Sequence, residues 1–336
     1  MTKVRKILRA SLRGLTWVVL GLASLWAAAA LYFDVRISWL QLPLAMVYAV
    51  AMVAVWIFLR RPWKVLATVA GFGVVLTWWL SLQPTNTADW QPDVAVLPYA
   101  DINGNQVTIH NIRNCDYRTE TDYTVRHYDR TFDLDQLRTV DLYLVTWGSP
   151  NIAHTMVSFG FTNDGYVCFS IEVRYRRGQG YSAVKGLFRQ FELTYVIADE
   201  RDVVRLRTNY RTDDEQACLY RLQMTPEQGR QLFLEYLRRA DELRAHAVWY
   251  NAVTDNCTTG IRAQRAAADR APWDWRMLLN GHLDELLYER GALVTNLPFA
   301  ELKKISNINV RAKAADSAAD FSQLIRKGLP GFGDEP

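Results

Sequence analysis

The stretch His154-Thr155-Met156-Val157-Ser158-Phe159-Gly160-Phe161 is followed, after Asn163-Asp164-Gly165, by Tyr166-Val167-Cys168-Phe169-Ser170-Ile171-Glu172-Val173-Arg174. Apolar and polar residues alternate through both halves, the period of a strand, and Asn-Asp-Gly between them is a turn signal. The two halves therefore read as an antiparallel hairpin. Val157, Phe159 and Phe161 must meet Val167, Phe169, Ile171 and Val173, because a one-residue slip would turn every apolar side chain to the opposite face. A turn centred on Asp164 satisfies this and sets His154 opposite Arg174 and diagonal to Glu172. Ser170 and Cys168 share their polar face.

Outward from the hairpin, strand signals recur at 105–112, 139–147, 191–198 and 203–208, with a turn at Gly178-Gln179-Gly180. Thr225-Pro226-Glu227-Gln228 opens a helix with a capping box, and Leu232, Phe233, Tyr236, Leu237, Ala240 and Leu243 form its apolar stripe. Further helices are expected from Asn256–Cys257 and over 282–290 before Gly291, and the Ala/Ser/Asp-rich tail after Lys313 carries one amphipathic patch around 321–325. Strands followed by helices make an α+β domain.

The first 82 residues differ in kind. Their three apolar runs, 14–33, 37–59 and 65–82, approach or exceed the roughly 20 residues that cross a bilayer as helix. Trp17, Trp39, Trp56, Trp63, Trp78 and Trp79 near their ends suit the interfacial belt. A cleaved signal peptide would account for the first run only, and a second apolar segment follows at once. Nine Lys/Arg against the single acid Asp34 give this part +8, leaving −4 for residues 83–336. The overall +4 is thus no sign of a nucleic-acid partner. Five basic residues at the N-terminus, three at 60–64 and one at 34–36 predict the N-terminus in the cytoplasm and residues 83–336 on the opposite face; a third run lying on the membrane surface would leave the large domain in the cytoplasm instead. The expected organisation is a three-helix membrane anchor (1–82), a linker (83–100), a folded domain (101–275) and a helical C-terminal extension (276–336).

Of four cysteines, Cys115, Cys168 and Cys218 lie in or near strands, where any two could pair. Cys257 differs, because Asp255 or Asn256 can cap a helix that begins there. Unpaired amides and the helix dipole at such a position favour a thiolate and can receive an oxyanion. A thiolate needs a base. His110, His127, His246 and His282 sit in polar contexts and read as surface residues, whereas His154 shares a strand face with Glu172, which can fix and activate the ring. The pattern alone also fits a structural Cys257 and a solvated strand face with an incidental ion pair. Asn256, Ser170, Arg174 and Tyr250 are candidate substrate-binding or oxyanion groups. The basic clusters at 174–177 and 201–211 read as solvated strands, with a lipid-headgroup site as the alternative. No cofactor or metal is expected: there is no metal-ligand spacing, phosphate-cradling glycine loop, dinucleotide fingerprint or Gly-x-Ser-x-Gly elbow.

Several blocks in order resemble one family. They are 116–122, Trp147-Gly148-Ser149, Ile152-Ala153-His154-Thr155, 170–174, 186–193, 206–211 and Thr254-Asp255-Asn256-Cys257-Thr258-Thr259. Between about residues 100 and 270 the chain is similar to the Lnb N-terminal periplasmic domain. The resemblance implies a papain-like cysteine fold with His ahead of Cys, as in circularly permuted NlpC/P60-type proteins, including lecithin retinol acyltransferase. It also implies Cys257 as nucleophile, His154 as base and Glu172 as third member. Lnb itself is implicated in N-acylation of bacterial lipoproteins. Here three spans precede the domain, whereas in Lnb the membrane part follows it. The leading expectation is acyl transfer from phospholipid to a lipoprotein amine at the outer face of the bacterial inner membrane. A papain-like hydrolase (peptidase, cell-wall amidase or lipase) and a non-catalytic envelope-binding scaffold are the alternatives.

Overall fold

The computed structural model describes residues 3–163, 165–212, 214–254 and 272–333. The chain divides into two compact units, Met1–Pro84 with Tyr181–Phe191, and Thr85–Gly180 with Glu192–Pro336.

The first unit is built on α1 (Lys3–Asp34), α2 (Ser38–Phe58) and α3 (Arg61–Ser81). All three are long and apolar enough to cross a membrane. α3 starts four residues ahead of its apolar run because Pro62 occupies the first turn, where a missing N–H costs nothing. Aromatic edges hold the helices together: Trp26 meets Phe72 at 5.8 Å and Trp79 at 5.2 Å, and Trp17 meets Trp56 at 5.6 Å. Two indole N–H groups tie helices to one another, Trp56 donating to Thr68 Oγ1 (3.0 Å) and Trp79 to Asp34 Oδ2 (2.7 Å).

The second unit contains β1 (Tyr99–Asn103), β2 (Gln106–Arg113), β3 (Asp116–Tyr117), β4 (Tyr123–Thr124), β5 (His127–Asp133), β6 (Leu137–Trp147), β7 (Ser149–Phe161), β8 (Gly165–Arg174), β9 (Glu192–Ala198) and β10 (Gln216–Arg221). Its main sheet runs β1-β2-β9-β8-β7-β6-β10, with β5 also paired to β2 and β3–β4 a separate pair. β2 and β9 touch in parallel at Arg113 and Ala198, and the other pairings of this sheet are antiparallel. Among the described residues its helices are α4 (Glu200–Arg205), α5 (Pro226–Ala245), α6 (Leu283–Glu289), α7 (Phe299–Ile305), α8 (Asn309–Ala314) and α9 (Phe321–Arg326). The α+β reading holds.

One face of the central hairpin is aromatic, as its alternation required. Phe159 and Phe169 meet Phe233 of α5 at 5.0 and 5.6 Å, and Phe169 meets Tyr236 at 5.3 Å. α5 carries the expected capping box, and its whole apolar stripe is buried. The other face is not solvated. Met156 and Cys168 pack in one cluster with Ile308, Ala312, Phe321 and Ile325 of the C-terminal segment.

Three local expectations are corrected. Phe161 pairs with Gly165, whose φ of +69° suits glycine, so the turn centres on Asn163 instead of Asp164. The register therefore slips by two, and Met156 faces Ser170. Residues 203–208 are not a strand. Asp199 precedes α4, whose first turn carries Glu200 and Asp202, and Val203 and Val204 are buried side by side, which alternation forbids. The basic clusters are not solvated strands either, since Arg174, Arg205 and Arg207 are buried.

Buried charge finds buried partners. Arg326 of α9 grips Glu200 through two nitrogens (2.7 and 2.6 Å) and Asp141 of β6 (2.9 Å), which also binds Arg221 (2.6 Å). Ser158 and Tyr143 donate to Glu200 at 2.6 and 2.7 Å. Two cations and two carboxylates thus stitch the C-terminal helix to the sheet beneath it.

Candidate functional site

His154 enters on β7 and Ser170 and Glu172 on β8. The paired ladder of β7 and β8 ends at Met156–Ser170, with His154 and Glu172 each two residues beyond it on their strands. His154 Nε2 lies 2.7 Å from Ser170 Oγ and 3.2 Å from Glu172 Oε1. Ser170 Oγ donates to the same carboxylate oxygen at 2.6 Å. A carboxylate only accepts, and a serine hydroxyl has one proton, so Ser170 Oγ must receive its second bond from Nε2–H. The neutral ring then carries its lone pair on Nδ1, which makes Nδ1 its basic nitrogen.

Arg207 completes the group. It sits in one wide turn, Leu206–Tyr210, closed by the Arg211 N–H donating to Leu206 O at 3.0 Å. Such five-residue turns recur at functional sites. Arg207 Nη2 donates to Glu172 Oε1 at 3.0 Å, and Glu215 lies 3.9 Å from its Nη1. His154, Ser170 and Arg207 are buried. Burial alone would raise the Glu172 carboxyl, but His154 and Arg207 outweigh it and hold Glu172 well below the usual carboxylate range. Glu172 is therefore a fixed negative charge beside the imidazole.

The remaining candidates lie elsewhere or outside the described residues. Arg174 is taken up in packing: it donates to Val94 O (2.9 Å), Asn86 Oδ1 (2.8 Å) and Ala95 O (2.8 Å), and its guanidinium lies 4.2 Å from the Trp90 ring centroid. It anchors the 86–95 stretch instead of meeting His154. Tyr250 is buried just after Trp249, which bridges to Glu192 at the start of β9. Asn256 and Cys257 lie outside the described residues. Cys115, Cys168 and Cys218 are unpaired and buried, so no disulfide joins them. Burial, helped by Asp202, pushes the Cys115 thiol up to about 12; burial pushes Cys218 up to about 11 and Cys168 well above its ordinary value. Among the described residues, no group of three or more His, Cys, Asp or Glu is arranged to hold a metal ion.

The described flanks of 255–271 both reach the sheet end that carries His154. On one side Leu193 N donates to Val248 O (2.8 Å), and Asn251 Oδ1 accepts from Val253 N (2.9 Å) and Thr254 N (3.1 Å). On the other, Asn280 clasps the residue before His154, accepting from Ala153 N (2.8 Å) and donating to Ala153 O (2.6 Å). Only glycine fits next to it: a Cβ on Gly281 would fall 2.0 Å from Pro150 O. Sequence reasoning missed Arg207 and Asn280. Arg207 was hidden in a basic cluster, and Asn280 in a stretch without periodicity.

Residues 123–281 match the Lnb N-terminal periplasmic domain family. The matched segment contains His154, Ser170, Glu172, Arg207 and Asn280, and it stops short of the C-terminal helices that cover the polar sheet face. With the three apolar helices, this describes a membrane-anchored protein with a periplasmic segment. No curated protein and no solved structure matches the chain.

Proposed function

We propose that the chain is a cysteine-dependent acyltransferase on a permuted papain-like scaffold, anchored by its three helices with the N-terminus in the cytoplasm and the Lnb-type domain in the periplasm. The observation that carries this reading is the His154–Ser170–Glu172 relay clamped by Arg207. It fixes the imidazole tautomer, buries the base and keeps a permanent negative charge beside it, as a nucleophile's base requires.

In this reading His154 Nδ1 takes the proton of the Cys257 thiol, and the thiolate attacks an ester carbonyl of a phospholipid. The C–O bond breaks, His154 returns the proton to the departing lysophospholipid oxygen, and the acyl chain stays on Cys257 as a thioester. The N-terminal amine of a lipoprotein then attacks, loses a proton to His154, and releases the thiolate as the amide forms. The membrane anchor supports this choice of substrates, since both are held in the bilayer.

The test is intact-protein mass spectrometry of the full chain purified from membranes and incubated with phospholipid. An acyl mass lost in Cys257→Ser is expected, with transfer on adding a lipopeptide amine. Release of free fatty acid without transfer would replace the acyltransferase by a hydrolase. Absence of any adduct or turnover would remove the enzymatic reading.

A further inference from the structure

Tyr181–Phe191, the connection between β8 and β9, belongs to the helical unit. Its last residues close the ends of two helices. Arg189 Nη1 donates to Leu80 O (3.2 Å) and Leu82 O (2.5 Å) at the C-terminus of α3, and its guanidinium lies 4.1 Å from the Trp79 ring centroid. Gln190 Nε2 donates to Phe33 O (2.5 Å) and Asp34 Oδ1 (2.8 Å) at the C-terminus of α1. The last carbonyls of a helix have no partner within it and carry the negative end of its dipole, so a guanidinium and an amide are apt caps. Between them Phe188 packs on Phe33 at 4.8 Å and on Trp26 at 6.5 Å.

This fastening fixes the depth of the segment. The 21 residues of α3 rise about 31 Å at 1.5 Å each, close to the roughly 30 Å of a hydrocarbon core. With α3 spanning such a core, the carbonyls that Arg189 caps would stand at its membrane–water boundary. Gly186 and Phe188 are buried, while Tyr181, Val184 and Leu187 are 50%, 54% and 44% exposed. Lys185 lies between the last two.

We infer that residues 181–187 form an interfacial wedge, with Tyr181, Val184 and Leu187 seated among phospholipid headgroups and upper acyl chains on the membrane face where α1 and α3 end. Apolar side chains held at that depth by two helix caps have lipid as their neighbour, with Lys185 positioned for the phosphates. The inference stands independently of the chemistry at His154.

The experiment is spin-label accessibility on the full chain in nanodiscs of phosphatidylethanolamine and phosphatidylglycerol, in a Cys257→Ser background. Labels go at Val184→Cys and Leu187→Cys, both at exposed positions. Val50→Cys, exposed in the middle of α2, is the membrane reference, and free label in buffer is the aqueous one. Collisions with a polar nickel chelate should fall several-fold below the aqueous reference at both positions, with oxygen collisions raised toward the Val50 level. Nickel collisions equal to those of free label at both positions would overturn the wedge, and so would lipid exposure at only one of them.

Discussion

Glu172 Oε1 stands 3.2 Å from His154 Nε2, and Ser170 Oγ is bonded to both. Replacing the carboxylate by an amide of equal size removes the fixed charge and lets the side chain donate as well as accept. Glu172→Gln is expected to slow formation of the Cys257 adduct by about 10²–10⁴-fold, the span of a general acid–base contribution, with the fold retained. Single-turnover mass spectrometry beside a circular dichroism spectrum checks both halves.

Acid should undo the same arrangement. The folded-state pKa of Glu172 lies below its unfolded value, near 4.3, so its stabilisation is complete above that value and is lost as pH falls through the folded one. Urea midpoints of the wild type should therefore drop more steeply below about pH 4 than those of Glu172→Gln. Arg207→Gln, which removes one of the groups that lower Glu172, raises its folded-state pKa and should make this loss smaller and complete at a higher pH.

Asn280 and Gly281 together secure the strand end on which His154 sits. Asn280→Ala leaves the Ala153 N–H and C=O without their side-chain partner and should cost about 1–3 kcal/mol. Gly281→Ala drives a methyl into Pro150 O and should cost about 1–3 kcal/mol by overpacking. Denaturant melts give both values. An Asn280→Ala protein as stable as wild type would show that water replaces the clasp.

Arg326→Met strips the cation from Glu200 and Asp141 within the sheet's covered face. Breaking a buried pair from one side typically costs about 3–5 kcal/mol, and this variant should fall in that range. Adding Glu200→Gln should return part of the loss, because the uncompensated carboxylate is then gone. Equilibrium unfolding of the single and double variants measures the coupling.

Alternation in 154–174 was enough to give the hairpin, its apolar face and the pairing of His154 with an acid, because each follows from a period of two. It could not give the register, which one left-handed glycine decides: Gly165 takes the place opposite Phe161, sets Met156 against Ser170 and leaves Glu172 Oε1 3.2 Å from His154 Nε2. The capping box at Thr225 and the stripe of α5 were legible for the same local reasons. Arg207 was not, since whether an arginine is solvated or buried against Glu172 depends on a wide turn that no propensity encodes. Nor was the covering of the polar face, because polar residues on a strand normally mark solvent, and here they mark a buried ion-pair cluster under α9.

The three buried thiols turn the native chain into its own probe. Cys115, Cys168 and Cys218 are enclosed and stay protonated at neutral pH. Whatever alkylating label the folded protein takes up therefore reports on residue 257 alone. The count should climb toward four only as the sheet opens, so one reagent can follow both the reactivity of that residue and the unfolding of everything around it, without an engineered cysteine.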